Sequence, residues 1–180
     1  LLLTFFLSCL LYYIFLIDDA KTINLLKFFV IASFLNLVLN LLPSKSKFKV
    51  FSGDSGSLFI GFFISFITIE LYNSFNIHPA FLIWPLWYPV YDFLFVSINR
   101  LLNKKSIFKP DNTHLHHVIS YKFYGNKISP LILFLIFNST IIFIGYKLSE
   151  ISKLLSLSTF IIGFTLYYII RFLTYKKFKN

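Results

Sequence analysis

The feature that most limits what this chain can become is a succession of uninterrupted apolar stretches. "LILFLIFNSTIIFIGY", residues 131–146, is one example. Crossing the hydrocarbon of a bilayer takes roughly 20 apolar residues in a helix. Six stretches approach that length, at about 1–17, 23–42, 57–72, 80–98, 130–147 and 154–173. Lipid offers no partner to backbone N–H and C=O groups, so each is expected to be an α-helix. The expected fold is therefore all-α: a polytopic membrane bundle of about six transmembrane helices in one membrane domain, 1–180, with the C-terminus cytoplasmic. Charged residues make up only 13% of the chain, about half the share of a soluble domain.

Basic residues orient the spans. The connection 43–56 holds Lys45, Lys47 and Lys49. Segment 99–129 holds Arg100, Lys104, Lys105, Lys109, Lys122 and Lys127, and the tail holds Arg171, Lys176, Lys177 and Lys179. The intervening segments 18–22, 73–79 and 148–153 carry only Lys21 and Lys153, beside Asp18, Asp19 and Glu150. By the positive-inside rule the first set is cytoplasmic and the second external. The net charge of +10 thus lies mainly beside the bilayer, where it suits anionic lipid. A nucleic-acid partner is not expected, because no soluble basic face exists to lie along a duplex. The chain has no methionine and opens inside an apolar run without a basic leader, which reads as the C-terminal part of a longer protein. The single cysteine, Cys9, has no intrachain disulfide partner and reads as a small packed or lipid-facing residue.

Several polar groups in this apolar setting need a reason. Gly53-Asp54-Ser55-Gly56-Ser57 evokes the nucleophile region of a trypsin-like protease, but that fold needs alternating strands, and none are present. At the cytoplasmic mouth of the third span, Asp54 is either a helix N-cap or an oxygen ligand for Mg2+. Ser55 and Ser57 suit capping, and Gly56 a tight turn. Ser57, Gly61, Ser65 and Thr68 form a small-residue stripe suited to close helix contact, while Asn36 and Asn40 suit interhelical hydrogen bonds. Pro85 and Pro89 are each expected to kink the fourth span. Asp92, about two turns from that span's cytoplasmic end, is either a functional acid or a structural partner of a basic side chain such as Arg100. His114, His116 and His117 follow "PDNT", a helix-start sequence. They suit zinc or hydrogen bonding to phosphates beside Lys104, Lys105 and Lys109. His78 supports no functional reading. A metal carboxylate, histidines and cations at one membrane surface describe phosphoryl-group chemistry, in which positioning and charge neutralisation dominate.

Three blocks in order, "FKVFSGDSGSLFIGF", "PLWYPVYDFLFVSINRLL" and "SIFKPDNTHLHHVI", resemble the bacterial polyprenyl-phosphate N-acetylhexosamine-1-phosphate transferases. They resemble most those that carry N-acetylglucosamine-1-phosphate to undecaprenyl phosphate. The resemblance implies a Mg2+-dependent enzyme of the bacterial inner membrane, with Mn2+ as a substitute, whose active face is cytoplasmic. Its partners would be undecaprenyl phosphate, a UDP-N-acetylhexosamine and the lipid bilayer, and it leaves room for a homodimer. The lipid phosphate attacks the β-phosphorus of the UDP-sugar and releases UMP, initiating a surface glycan such as O-antigen, enterobacterial common antigen or teichoic acid. It makes Asp54 the metal ligand and places His114, His116 and His117 in the catalytic motif at the nucleotide-sugar phosphates. Lys49, Asp92, Arg100 and Lys109 are the expected substrate-contacting residues. The family also needs an adjacent aspartate pair and an Asp-Gly-x-Asp-Gly type loop. Asp18-Asp19 falls on the external side and one span before Asp54, so it reads as a solvated turn and both elements are expected upstream of Leu1. The 180-residue piece is accordingly expected to be inactive alone. The alternative is a non-catalytic scaffold or binding remnant. A metal transporter ranks lower, since it needs inward-facing acids in several spans and only Asp92 is so placed.

Overall fold

A computed structural model describes residues 1–43, 45–50, 53–104, 106, 115 and 128–179, with backbone only for 174–179. The chain runs through α1 (Leu2–Leu16), α2 (Ala20–Leu41), α3 (Gly53–Phe75) and a short α4 (Pro79–Leu82). A 3-10 turn at Trp84–Leu86 leads into α5 (Trp87–Leu102), and α6 (Ile128–Ile151) and α7 (Lys153–Lys179) are the last helices described. No strand occurs among the described residues. Among the described residues five segments are long and apolar enough to cross a membrane, with α4 through α5 counted as one; α1 is shorter. The protein is thus an all-α polytopic membrane protein, as its apolar stretches imply.

α1 occupies the centre. Phe6, Cys9, Leu10 and Tyr13 are buried, and α1 packs on α2, α3 and α6. Outward faces of the other helices carry exposed Phe28, Phe62, Phe143 and Leu154, which is what a lipid solvent permits. α6 and α7 are separated by Ser152 alone, so this connection is nearly a hairpin.

Asp18 and Asp19 are both exposed. Asp19 caps α2, accepting from the Thr22 amide at 2.8 Å and the Thr22 hydroxyl at 2.7 Å, which is a structural role. The amide hydrogen bonds hold the Asp19 carboxyl below its ordinary value of 3.8. His78 likewise caps α4, its Nδ1 accepting from the Ala80 amide at 3.1 Å.

The fourth apolar segment differs from expectation in a physically instructive way. It does not kink at both prolines; it breaks once, at Pro85, within the 3-10 turn. Pro89 is the third residue of α5, where an N–H has no intrahelical acceptor anyway, so it costs no hydrogen bond. A broken helix inside lipid must have its freed carbonyls satisfied by neighbours. Tyr12 Oη donates to Phe81 O, the acceptor that Pro85 cannot serve, at 2.8 Å. Trp84 Nε1 donates to Ser156 Oγ (2.8 Å), Ser156 lies 2.8 Å from Ser149 Oγ, and Ser149 donates to Ala80 O at 2.8 Å. Cys9 Sγ is packed and points to Pro85 O at 3.5 Å. The Trp84 ring lies against the backbone of α6 because position 145 is glycine; a Cβ there would sit 1.9 Å from Trp84 Cδ2.

A second polar chain crosses the bundle lower down. Trp87 Nε1 donates to Asn138 Oδ1 at 2.6 Å, and Asn138 Nδ2 donates to Ser8 Oγ, joining α5, α6 and α1. Such bonds between membrane helices contribute about 0.6 kcal/mol on average. The stripe of Ser57, Gly61 and Ser65 does not pack as expected: all three are exposed, and a Cβ at Gly61 would meet nothing within 4 Å. α3 instead buries Ile60, Phe63, Ile64, Ile67 and Leu71, a bulkier apolar face that outcompetes the polar stripe. Of the stripe, Thr68 alone reaches across, 2.7 Å from Tyr13 Oη.

Candidate active site

Two helix segments carry candidate groups that the structure describes. The first is the start of α3. The helix begins at Gly53, four residues before the apolar run, so the whole Gly-Asp-Ser-Gly-Ser stretch is helical. The turn-making glycine is Gly53, with φ +55°, rather than Gly56, because the left-handed region accepts glycine without a Cβ penalty. Ser57 does not cap; its hydroxyl donates to the Asp54 carbonyl at 2.7 Å. Asp54 is therefore in the first turn, with an exposed side chain, where the helix dipole favours negative charge. Lys49 is half-buried a few residues earlier. Beside this turn a cleft of about 180 Å³ opens between α1, α2 and α3, lined by Phe6, Phe29, Ser33, Asn36, Gly56 and Phe59 among others.

The second is α5 from Asp92 onward, where Asp92, Asn99 and Arg100 are all buried. Asp92 is only 4% exposed. Its Oδ1 accepts from Tyr167 Oη at 2.9 Å and from the Leu115 amide at 3.0 Å. Arg171 Nη2 stands 3.8 Å from the same oxygen, and its guanidinium lies 5.0 Å from the centre of the Phe95 ring. Arg100 Nη1 donates to Ser106 O at 3.0 Å. Asn99 and Asn103 tie off the helix end, with Asn103 Nδ2 donating to Asn99 O at 2.6 Å.

The sequence leads one to expect Asp92 and Arg100 as substrate-contacting groups, or Asp92 as a structural partner of Arg100 or another basic side chain; the described bonds of Asp92 run to α7 and to Leu115, with Arg171 the basic side chain beside it, and that of Arg100 runs to Ser106. His114, His116, His117 and Lys109 lie outside the described residues. Among the described residues no three His, Cys, Asp or Glu side chains gather as a metal site. The exposed Asp54 side chain offers one carboxylate ligand, which fits a cation that keeps waters and substrate oxygens for its other positions.

Sequence reasoning passed over Tyr167 and Arg171, counting the arginine only as a positive tail charge. The signal was present: an arginine inside the stretch 154–173 needs a partner, and Tyr167 and Arg171 are four apart, on one helix face.

The class the structure defines is that of polytopic membrane proteins with a broken helix, here with an exposed carboxylate in the first turn of α3 and a buried ion pair between α5 and α7. Comparison with known proteins is more specific. The chain is 30% identical over 135 residues to the undecaprenyl-phosphate alpha-N-acetylglucosaminyl 1-phosphate transferase of Yersinia pestis, covering 73% of this chain and 37% of that protein. It is 35% identical over 85 residues to the Escherichia coli (strain K12) protein of the same name, covering 46% and 23%. It is 38% identical over 90 residues to a Bacillus subtilis (strain 168) protein named "Probable undecaprenyl-phosphate N-acetylglucosaminyl 1-phosphate transferase", covering 49% and 25%. The resemblance carried by the three sequence blocks is borne out: the chain is similar to the bacterial polyprenyl-phosphate N-acetylhexosamine-1-phosphate transferases. The matched part of the chain spans between 23% and 37% of the length of these relatives. No family model and no solved structure matches it.

Proposed function

We propose that the protein containing this chain transfers N-acetylhexosamine-1-phosphate, from UDP-N-acetylglucosamine in the first instance, to undecaprenyl phosphate. UMP is released and a cell-surface glycan is begun. The observation that carries the reading is the exposed Asp54 in the first turn of α3, within a chain similar over most of its length to a named transferase. In this proposal the reaction occurs at the cytoplasmic face of the bacterial inner membrane, where the basic segments lie.

Asp54 is one ligand of a Mg2+ ion, and Mn2+ can replace it. Bound there, the ion would supply charge neutralisation at the diphosphate. His114, His116 and His117 donate to the nucleotide-sugar phosphates, and Lys49 and Lys109 add positive charge. The cleft beside Gly56, walled by Phe6, Phe29 and Phe59, supports an isoprenoid chain lying close to Asp54. The lipid phosphate oxygen forms the new bond to the β-phosphorus, and the electron pair of the old bond leaves on UMP. The chain's share of its relatives' length supports a further expectation, that these 180 residues alone do not turn over.

The test uses the protein at its full natural length, reconstituted with undecaprenyl phosphate, UDP-N-acetylglucosamine and Mg2+. Asp54→Asn is expected to slow UMP release at least about 100-fold, the upper end for loss of a metal-supporting group. Wild-type turnover by that variant would remove the metal role. A non-catalytic scaffold, the second reading, predicts no UMP release from the wild-type protein either.

A further inference from the structure

We propose that the turn between α2 and α3 is a docking surface for anionic phospholipid: Phe48 inserts among the acyl chains of the adjoining leaflet, and Lys45 and Lys47 hold the lipid phosphates beside it. α2 ends at Leu41 and α3 begins at Gly53, so the turn joins two long apolar helices at one membrane surface. Residues 45–50 carry three lysines and no acid. The backbone here closes on itself. The Ser46 amide donates to Pro43 O at 2.9 Å, the Lys49 amide to Ser46 O at 3.3 Å, and the Phe48 amide to Ser46 Oγ at 3.3 Å. That leaves the neighbouring side chains to the surroundings. Lys45 and Lys47 are exposed, and Phe48, at 76%, is the most exposed aromatic ring among the described residues. Among the described residues no carboxylate pairs with Lys45 or Lys47.

A phenyl ring set among ammonium groups suits an anionic bilayer interface. The ring leaves water for acyl chains, while each lysine stem lies along apolar surface and keeps its charged head at phosphate level. The attraction of one such lysine to an anionic membrane surface corresponds to about fivefold in affinity. A neutral lipid satisfies the ring alone, and free phosphate satisfies the lysines alone; an anionic phospholipid satisfies both. The surface is separate from the carboxylate of Asp54, and the proposal stands whether or not the protein transfers a sugar phosphate.

The test places the aromatic photocrosslinker p-benzoylphenylalanine at position 48 of the full-length protein, in nanodiscs of equal parts phosphatidylcholine and phosphatidylglycerol. Irradiation joins the ring to whatever it touches, and mass spectrometry of the peptide identifies the adduct. The expected adduct is phospholipid, with phosphatidylglycerol favoured over phosphatidylcholine at least about fivefold. Lys45→Gln combined with Lys47→Gln changes two exposed side chains and leaves the fold alone. With that variant lipid is still expected as the adduct, but the two lipids react about equally. An adduct to another part of the protein shows that a protein segment covers the patch, and absence of any adduct leaves the ring in water; either overturns the proposal. A lipid adduct without preference for phosphatidylglycerol overturns it too, as does a preference that survives the loss of both lysines.

Discussion

The buried pair between α5 and α7 makes a quantitative prediction. Arg171 Nη2 and Asp92 Oδ1 are 3.8 Å apart, with side chains 4% and 6% exposed. At an effective dielectric constant near 20 their attraction is about 4 kcal/mol. Desolvation of both charges offsets most of this, so the pair adds little net stability, yet breaking it by halves is expensive. Asp92→Asn or Arg171→Gln alone is expected to cost about 3 kcal/mol, because each removes one partner of a buried ion pair. The double substitution is expected to cost about 2 kcal/mol less than the sum of the two, a coupling typical of residues in contact. Steric trapping or denaturant titration in bicelles measures this. The two tryptophans of the chain, Trp84 and Trp87, are buried at the start of the α5 segment and provide a native fluorescence signal. Losses that add within about 0.5 kcal/mol would refute the reasoning and show that the two charges do not sense each other.

Other consequences are equally direct. Gly145→Ala forces the Trp84 ring away from α6, where a Cβ would lie 1.9 Å from Cδ2; a loss of about 1–3 kcal/mol and a changed tryptophan emission are expected in the same unfolding assay. Asn138→Leu removes the links to Trp87 and Ser8 and leaves the indole N–H buried without its acceptor, costing about 1–2 kcal/mol. The Asp19 carboxyl, lowered by its amide hydrogen bonds, stabilises the start of α2 fully above the ordinary carboxylate value. That contribution fades as pH falls through the lowered folded value, and Asp19→Asn, which keeps an acceptor, should abolish this acid limb in exchange of the Thr22 amide.

Much of the bundle was legible because one signal, apolar length, reports directly on a lipid solvent. It located the long helices among the described residues without any tertiary information. What stayed hidden depended on pairing across the sequence. Pro85 and Pro89 look alike locally; only the position of each in its helix decides that one breaks it and the other starts it. The small stripe from Ser57 to Thr68 looked like a packing face, yet the larger Phe63 and Ile67 side chains on the neighbouring face bury more apolar surface. Asp54 at a helix mouth was readable from its sequence block alone. Asp92 was recognised as a costly acid, but its partners Tyr167 and Arg171 lie 75 and 79 positions further on, beyond the reach of local patterns.

The central claim, transfer of a sugar together with its phosphate, is tested most directly by the fate of the phosphorus atom next to the sugar. UDP-N-acetylglucosamine radiolabelled at the β-phosphorus is given to the full-length protein with undecaprenyl phosphate and Mg2+. The account predicts label in the lipid fraction as a diphosphate-linked sugar, equal amounts of unlabelled UMP, and loss of both with Asp54→Asn. Label leaving in water-soluble UDP while the sugar alone reaches the lipid, or no label in the lipid at all, would contradict it.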